Sequence, residues 1–181
     1  MFAQLDNCLI LDLEHGTDYV DAMKIQANCV QDIKDIGEAI LAQGCPYKYI
    51  AVDTITALEE MCVPYAEILY SRTSMGKNWF TKSKNEYGSI LNMPNGAGYP
   101  YLREAFTKMV EYIKTWAPNV ILVGHIKDIQ LEKNGADFTS TDLDLTGKLK
   151  RITSSQSDAI GYLYRKGNQN ILSFKTTDEV A

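Results

Sequence analysis

Residues 8–16 read CLILDLEHG. An apolar run of that length, closed by Glu14, His15 and Gly16, predicts a buried strand over 8–13 that ends in a polar loop. Downstream, Val30, Ile33, Ile36, Ile40 and Leu41 recur at helical spacing between Asn28 and Gln43, and Gly44 with Pro46 stops the pattern. A strand followed by an amphipathic helix is half of a βαβ unit, and the rest follows at once. Residues 47–52, YKYIAV, are mostly aromatic or β-branched and end in Asp53 and Thr54. Residues 57–70 then turn helical, with Pro64 expected to mark a kink or boundary.

The sharpest helical stripe is Leu102, Phe106, Met109, Val110, Ile113 and Ala117, ended by Pro118-Asn119 before a strand over 120–124. Two more strands are expected at 159–165 and 170–175, joined by the turn Lys166-Gly167-Asn168-Gln169. Residues 71–98 and 125–157 hold no period and read as long loops, a kind of segment usually functional or disordered. The order β, α, β, α, loop, α, β, loop, β, β predicts an α/β protein in one domain over 1–181, with a mainly parallel sheet and an antiparallel C-terminal hairpin.

Charge and composition narrow the function. Eighteen Lys and Arg against twenty-three Asp and Glu give a net charge of -5 in 181 residues, which argues against coating nucleic acid by bulk charge. Any such contact must be local. No apolar run reaches the roughly 20 residues that cross a bilayer, and the first residues, MFAQLDN, carry no basic leader, so a cytoplasmic protein without a membrane partner is expected. Cys8, Cys29, Cys45 and Cys62 form no CxxC pair and the two histidines lie far apart, which removes the spacing of a structural zinc site. Reduced, mostly buried thiols are expected.

In parallel sheets ligands bind at the carboxyl ends of strands, and the first three strands here end in Glu14 and His15, in Asp53, and in His125. The plainer account is that these acids cap helices and the histidines are ordinary polar residues. Asp12 and Glu14, two apart, share a strand face, so a metal-dependent phosphohydrolase using them with Asp53 is a further, weaker reading.

Three motifs in order carry a family resemblance across nearly the whole chain. LILDLEHGTDY resembles the strand and acidic turn of RecA-type recombinase ATPases, YIAVDTITALEE resembles their Walker B strand with the helix after it, and VILVGHIKD is similar to the strand leading into their second DNA-binding loop. The likeness is nearest to phage-type RecA-like ATPases of recombination and single-strand annealing. It implies a RecA-like three-layer sandwich, a homo-oligomer, and ATP with Mg²⁺ as cofactors. It also implies roles: Glu14 as the carboxylate that activates the attacking water, Asp53 as the Walker B aspartate of the metal shell, and Thr54 as its hydrogen-bonding neighbour. His125 would be the polar sensor, and Lys175 a lysine reaching a neighbouring subunit's nucleotide.

One departure is large: no G-x-x-x-x-G-K-[ST] stretch occurs in the 181 residues. Against the family's order, the first strand and phosphate loop are missing, and residues 1–6 resemble the tail of the helix that follows that loop. ATP binding by these residues alone is therefore expected to be poor. Residues 71–98 match the place of the family's first DNA-binding loop. They set Arg72, Lys77, Lys82 and Lys84 among Trp79, Phe80 and Tyr87 against one acid, Glu86, a pattern suited to single-stranded DNA through phosphate neutralisation and base stacking. The competing account folds Trp79 and Phe80 onto the core. In the second loop Lys127, Lys133, Lys148, Lys150 and Arg151 are offset by five acids, so a DNA contact at Lys127 rests on the resemblance. Two classes of function stand: a RecA-like ATPase core acting on single-stranded DNA, and a non-catalytic DNA- or protein-binding module of the same descent.

Overall fold

The computed structural model describes residues 2–133 and 136–174, which fall into two compact units, Met1–Gly124 and His125–Ala181. In the first unit the elements run β1 (Cys8–Asp12), β2 (Lys24–Gln26), α1 (Val30–Ala42), β3 (Tyr49–Asp53), α2 (Ile55–Ser71), α3 (Lys84–Tyr87), α4 (Tyr99–Ile113) and β4 (Asn119–Val123). The four strands form one parallel sheet in the order β2-β1-β3-β4. Every residue of β1 is buried, as its unbroken apolar run requires.

The connection from β2 to β3 through α1, and that from β3 to β4 through α2 and α4, advance the same way across the sheet. Right-handed crossovers of that kind lay their helices on one face, and the Tyr112 hydroxyl on α4 donates to the Lys34 carbonyl on α1 at 3.2 Å. Alternation along the strands turns Leu9, Leu11, Ile50 and Val52 to that face. The other face carries Cys8, Ile10 and Ala51, with Phe2, Ala3, Ala22, Tyr49 and Ile121 packed on them.

α1 buries Val30, Ile33, Gly37 and Ile40. Gly37 belongs to the stripe because α4 comes so close: a Cβ there would stand 2.5 Å from the Tyr112 hydroxyl and 2.6 Å from the Trp116 ring. Leu41, expected on the buried stripe, lies on the exposed side. α2 runs on through Pro64, which is exposed, while Leu58, Cys62, Ala66 and Tyr70 are buried and hold the helix on both sides of it.

The stretch 71–98 is built rather than irregular. A π-helical turn over Trp79–Ser83 runs into α3, and single 3-10 turns follow at Ile90–Asn92 and Pro94–Gly96. Elements this short carry no readable period, which is why the sequence looks like loop here. Trp79 and Ile90 are fully buried. Gly76 sits so near the end of α2 that a Cβ would fall 1.9 Å from the Tyr70 carbonyl oxygen.

In the second unit β5 (Ile126–Lys133) and β6 (Ala136–Leu143) form an antiparallel hairpin inside the span expected to be loop, followed by α5 (Leu149–Ser155). β7 (Tyr162–Lys166) and β8 (Gln169–Ser173) form the expected C-terminal hairpin around Gly167 and Asn168. That hairpin is a separate two-stranded sheet and does not extend the parallel one. No helix among the described residues is long and apolar enough to cross a membrane.

Candidate functional site

The site begins with an acid inside an apolar strand. Asp12 is fully buried, and a carboxylate there must be satisfied by the chain around it. Its oxygens accept from the backbone N–H groups of Glu14 (3.3 Å), Gly16 (3.2 Å) and Thr17 (3.2 Å), from the Thr17 hydroxyl (2.6 Å), and from the Gln26 amide (3.4 Å). Burial by itself pushes the Asp12 carboxyl up, but the hydrogen bonds from Thr17, Gln26 and Gly16 outweigh it and hold the group below its ordinary value. A turn that wraps one carboxylate in this way is fixed in shape.

Lys24 fastens the far side of the same turn. Its ammonium donates to the carbonyls of Asp18 and Val20, each at 3.1 Å, and to that of Thr17. His15, at φ +58°, lies within 3.0 Å of the Asn28 amide oxygen through Nε2. The signal for this network is an Asp in the middle of a buried apolar run, a pattern that by spacing alone suggests a metal ligand and not the hub of a turn. Lys24 and Gln26 gave no signal, because they belong to a strand of three residues.

Glu14 leaves this turn toward the neighbouring strand. β1 pairs with β3 in register, Asp12 opposite Asp53, and the Leu13 N–H continues the ladder to the Asp53 carbonyl at 2.8 Å. One residue further, the Glu14 carboxylate accepts a hydrogen bond from the Thr54 hydroxyl. Thr54 is the N-cap of α2, and its oxygen also accepts from the Ala57 N–H at 3.2 Å. A hydroxyl has one proton and two lone pairs, so it can cap the helix and hold Glu14 together. Thr54 is buried and Asp53 half-buried, whereas Glu14 is exposed. Glu14, Thr54 and Asp53 thus meet at the carboxyl ends of two adjacent parallel strands.

His125 stands two residues beyond β4 and opens the second unit, where its carbonyl accepts from the Asp144 N–H at 2.8 Å. Lys175 lies outside the described residues. Of the residues expected to meet DNA, Arg72, Lys77, Phe80 and Lys82 are exposed. Trp79 is not. Expected to face solvent for base stacking, it is buried edge-on against Tyr70 at 5.6 Å between ring centres, because the π-helical turn points it into the core. Lys84 pairs with Glu67 at 2.6 Å, and Lys127 with Asp144 at 2.6 Å. The Lys127 pair is exposed on both sides and of the kind worth about 0–1 kcal/mol, too little to hold the lysine back from a phosphate.

The fit to a metal is limited. Among the described residues no group of three or more His, Cys, Asp and Glu is placed to hold an ion, and Asp12 is taken up by its own turn, which removes the ligand set of a two-metal phosphohydrolase. Asp53 with Glu14 nearby suits Mg²⁺, a cation commonly held by one or two carboxylates plus substrate phosphates. The four thiols form no disulfide; Cys8 and Cys62 are buried, Cys45 is half-buried and Cys29 exposed.

A parallel sheet with acids and a helix-capping hydroxyl at adjoining strand ends places the candidate site where open α/β sheets bind their ligands. The sequence belongs to the AAA domain family, whose pattern matches residues 1–181. Domains of this family generally bind ATP with Mg²⁺. Among curated proteins, the chain is also similar to a phosphopentomutase of Clostridium acetobutylicum, at 26% identity over 151 residues, covering 76% of this chain and 38% of that protein. The chain therefore spans well under half the length of that relative. No solved structure matches it.

Proposed function

We propose that this chain is the core of a RecA-like ATPase of the phage type, serving DNA recombination or single-strand annealing by coupling ATP hydrolysis to single-stranded DNA binding in a homo-oligomer. The observation that carries the reading is the Glu14–Thr54 hydrogen bond beside Asp53. A carboxylate at an open strand end can orient a water and take its proton, and the Thr54 hydroxyl holds that carboxylate in place. Asp53 is the residue that would hold Mg²⁺, which when bound supplies positive charge for the phosphate oxygens. DNA contact is assigned to Arg72, Lys77, Phe80 and Lys82, with Lys127 in support.

Without a G-x-x-x-x-G-K-[ST] stretch, the backbone N–H cradle and lysine that hold a triphosphate are absent from the sequence as given, so weak ATP binding and little turnover are expected of it. The same observation favours a second reading, a non-catalytic DNA- or protein-binding module. Two measurements on the chain separate them: ATP turnover with and without single-stranded oligonucleotide, and oligonucleotide binding across a salt series. Turnover that oligonucleotide stimulates and Glu14→Gln abolishes supports the ATPase. Salt-dependent oligonucleotide binding with no turnover supports the module, and no oligonucleotide binding at low salt sinks the DNA assignment in both.

A further inference from the structure

Between α2 and α4 the chain builds a folded segment whose parts are oddly matched. Trp79 is fully buried, yet its indole N–H has no hydrogen-bond partner among the described residues, so part of what its burial gains is offset by a stripped polar group. It sits on a π-helical turn, a rare form found frequently at functional sites. Its immediate neighbours Lys77, Phe80 and Lys82 all face solvent. Just after the turn, Lys84 pairs with Glu67 at 2.6 Å and lies 5.6 Å from the centre of the Phe80 ring.

The ion pair is lopsided. The Glu67 side chain is 4% exposed and that of Lys84 is 42% exposed. A buried carboxylate needs its cation, which keeps the segment closed, whereas the cation can be reached from water by another anion. A phosphate approaching Lys84 competes for it, and the exposed Arg72, Lys77 and Lys82 raise the local concentration of any chain of phosphates. Once Lys84 is drawn off, Glu67 loses its partner, and the most direct relief is for the turn to lift and let water reach the carboxylate. Lifting the turn also frees the Trp79 N–H and exposes its ring. A monovalent anion makes one such contact and cannot replace what the core gave up, so the ligand must be a polyanion whose own aromatic groups receive Trp79.

We propose that Met75–Tyr87 is a latched segment that stores Trp79 in the core, and that single-stranded nucleic acid opens it by taking Lys84 from Glu67. The class of ligand rests on the DNA reading above; the latch rests on the structure alone. It explains why a loop with a basic, aromatic surface keeps its largest stacking ring inside when free.

The test uses the full chain with Trp116→Phe, which leaves Trp79 as the one remaining tryptophan of two. The Trp116 indole N–H is itself without a partner among the described residues, so the change removes no hydrogen bond seen there. Acrylamide quenching and the emission maximum then report Trp79. In this background Glu67→Gln should raise quenching severalfold and shift emission to the red without any ligand. It should also bind a thymidine oligonucleotide about 3–10-fold more tightly, because the opening is already made. Should Glu67→Gln not fold, Lys84→Met leaves the buried Glu67 carboxylate without its cation and should expose Trp79 at least as much. The oligonucleotide should change Trp79 emission in the parent, and inorganic phosphate should not. If neither substitution raises quenching, the latch is wrong. If the oligonucleotide binds while Trp79 emission and quenching stay fixed, the latch is wrong and the DNA reading stands. If the substitutions expose Trp79 but the oligonucleotide does not bind, nucleic acid is not the opener, and the DNA reading falls with that half of the proposal.

Discussion

Replacing Asp12 tests whether one buried carboxylate sets the shape of the turn that carries Glu14. Hydrogen bonds to a charged acceptor are worth about 1.5–3 kcal/mol each, and the four donated by Glu14, Gly16 and Thr17 would sum to far more than a single change is observed to cost. Glu14 and Gly16 are exposed, so water takes up their N–H groups in the variant. Thr17 is buried, and its N–H and hydroxyl are the donors left without a partner. Two such losses put Asp12→Ala at about 3–5 kcal/mol and Asp12→Asn, which keeps one acceptor oxygen, near 2 kcal/mol. In urea titrations followed by circular dichroism, with a slope of roughly 2 kcal/mol/M, the midpoint should drop by about 1.5–2.5 M for Asp12→Ala.

The pH dependence gives an independent check. Because the folded Asp12 carboxyl is held below its ordinary 3.8, the folded state binds its proton less readily than the unfolded state does. Its contribution is present in full above the ordinary aspartate range and is lost as the pH falls through the lowered folded value. Asp12→Asn should therefore flatten the acid limb of the stability curve and leave the alkaline limb unchanged. A midpoint within about 0.3 M of the parent for Asp12→Ala, or an acid limb untouched in Asp12→Asn, would refute the account of the turn.

Gly37→Ala gains about 1 kcal/mol of helix propensity but drives a Cβ to 2.5–2.6 Å from Tyr112 and Trp116, so overpacking wins and a net loss of about 1–2 kcal/mol is expected by thermal unfolding. Trp79→Ala should destabilise by about 3–5 kcal/mol and the neighbouring Phe80→Ala by under about 1 kcal/mol; equal losses would contradict the opposite placement of the two rings. Burial pushes the Cys62 thiol up to about 12, with Glu59 adding to the effect. Alkylation at pH 8 followed by peptide mass spectrometry should accordingly label the exposed Cys29 and leave Cys62 untouched until the chain is unfolded.

The parallel sheet was legible because its strands are what burial on both faces produces: CLILD and YIAVD are apolar throughout and stop at acids. α1, α2 and α4 were legible for the same reason, each burying a stripe at helical spacing. What stayed hidden has no period to read. β2 is three residues long, and the β5–β6 hairpin is polar at most positions, so neither alternates cleanly. Trp79 shows the limit on the functional side. Aromatic residues among lysines are the composition of a stacking loop and equally that of a surface turn pinned by one buried ring, and only the backbone direction at the π-helical turn separates them. Glu14, Thr54 and Asp53 could be placed together because strand order does most of the work, whereas the partners of Asp12 lie in a turn whose path no propensity describes.

α2 is also a ruler. Thr54, at its first turn, holds Glu14, and Glu67, near its last, holds Lys84. Thirteen residues at about 1.5 Å each set those two contacts roughly 20 Å apart along one rigid axis. A ligand seated on the strand ends therefore cannot itself touch the latch, and a single nucleotide cannot bridge the two. Communication between them, if it occurs, has to pass as a displacement of the whole helix, in which a pull on the Thr54 cap is felt at Glu67 with the same sign and about the same size. Inserting one helical turn between Thr54 and Glu67 would lengthen the ruler while keeping both faces nearly aligned, and would separate a mechanical link from an electrostatic one by distance alone.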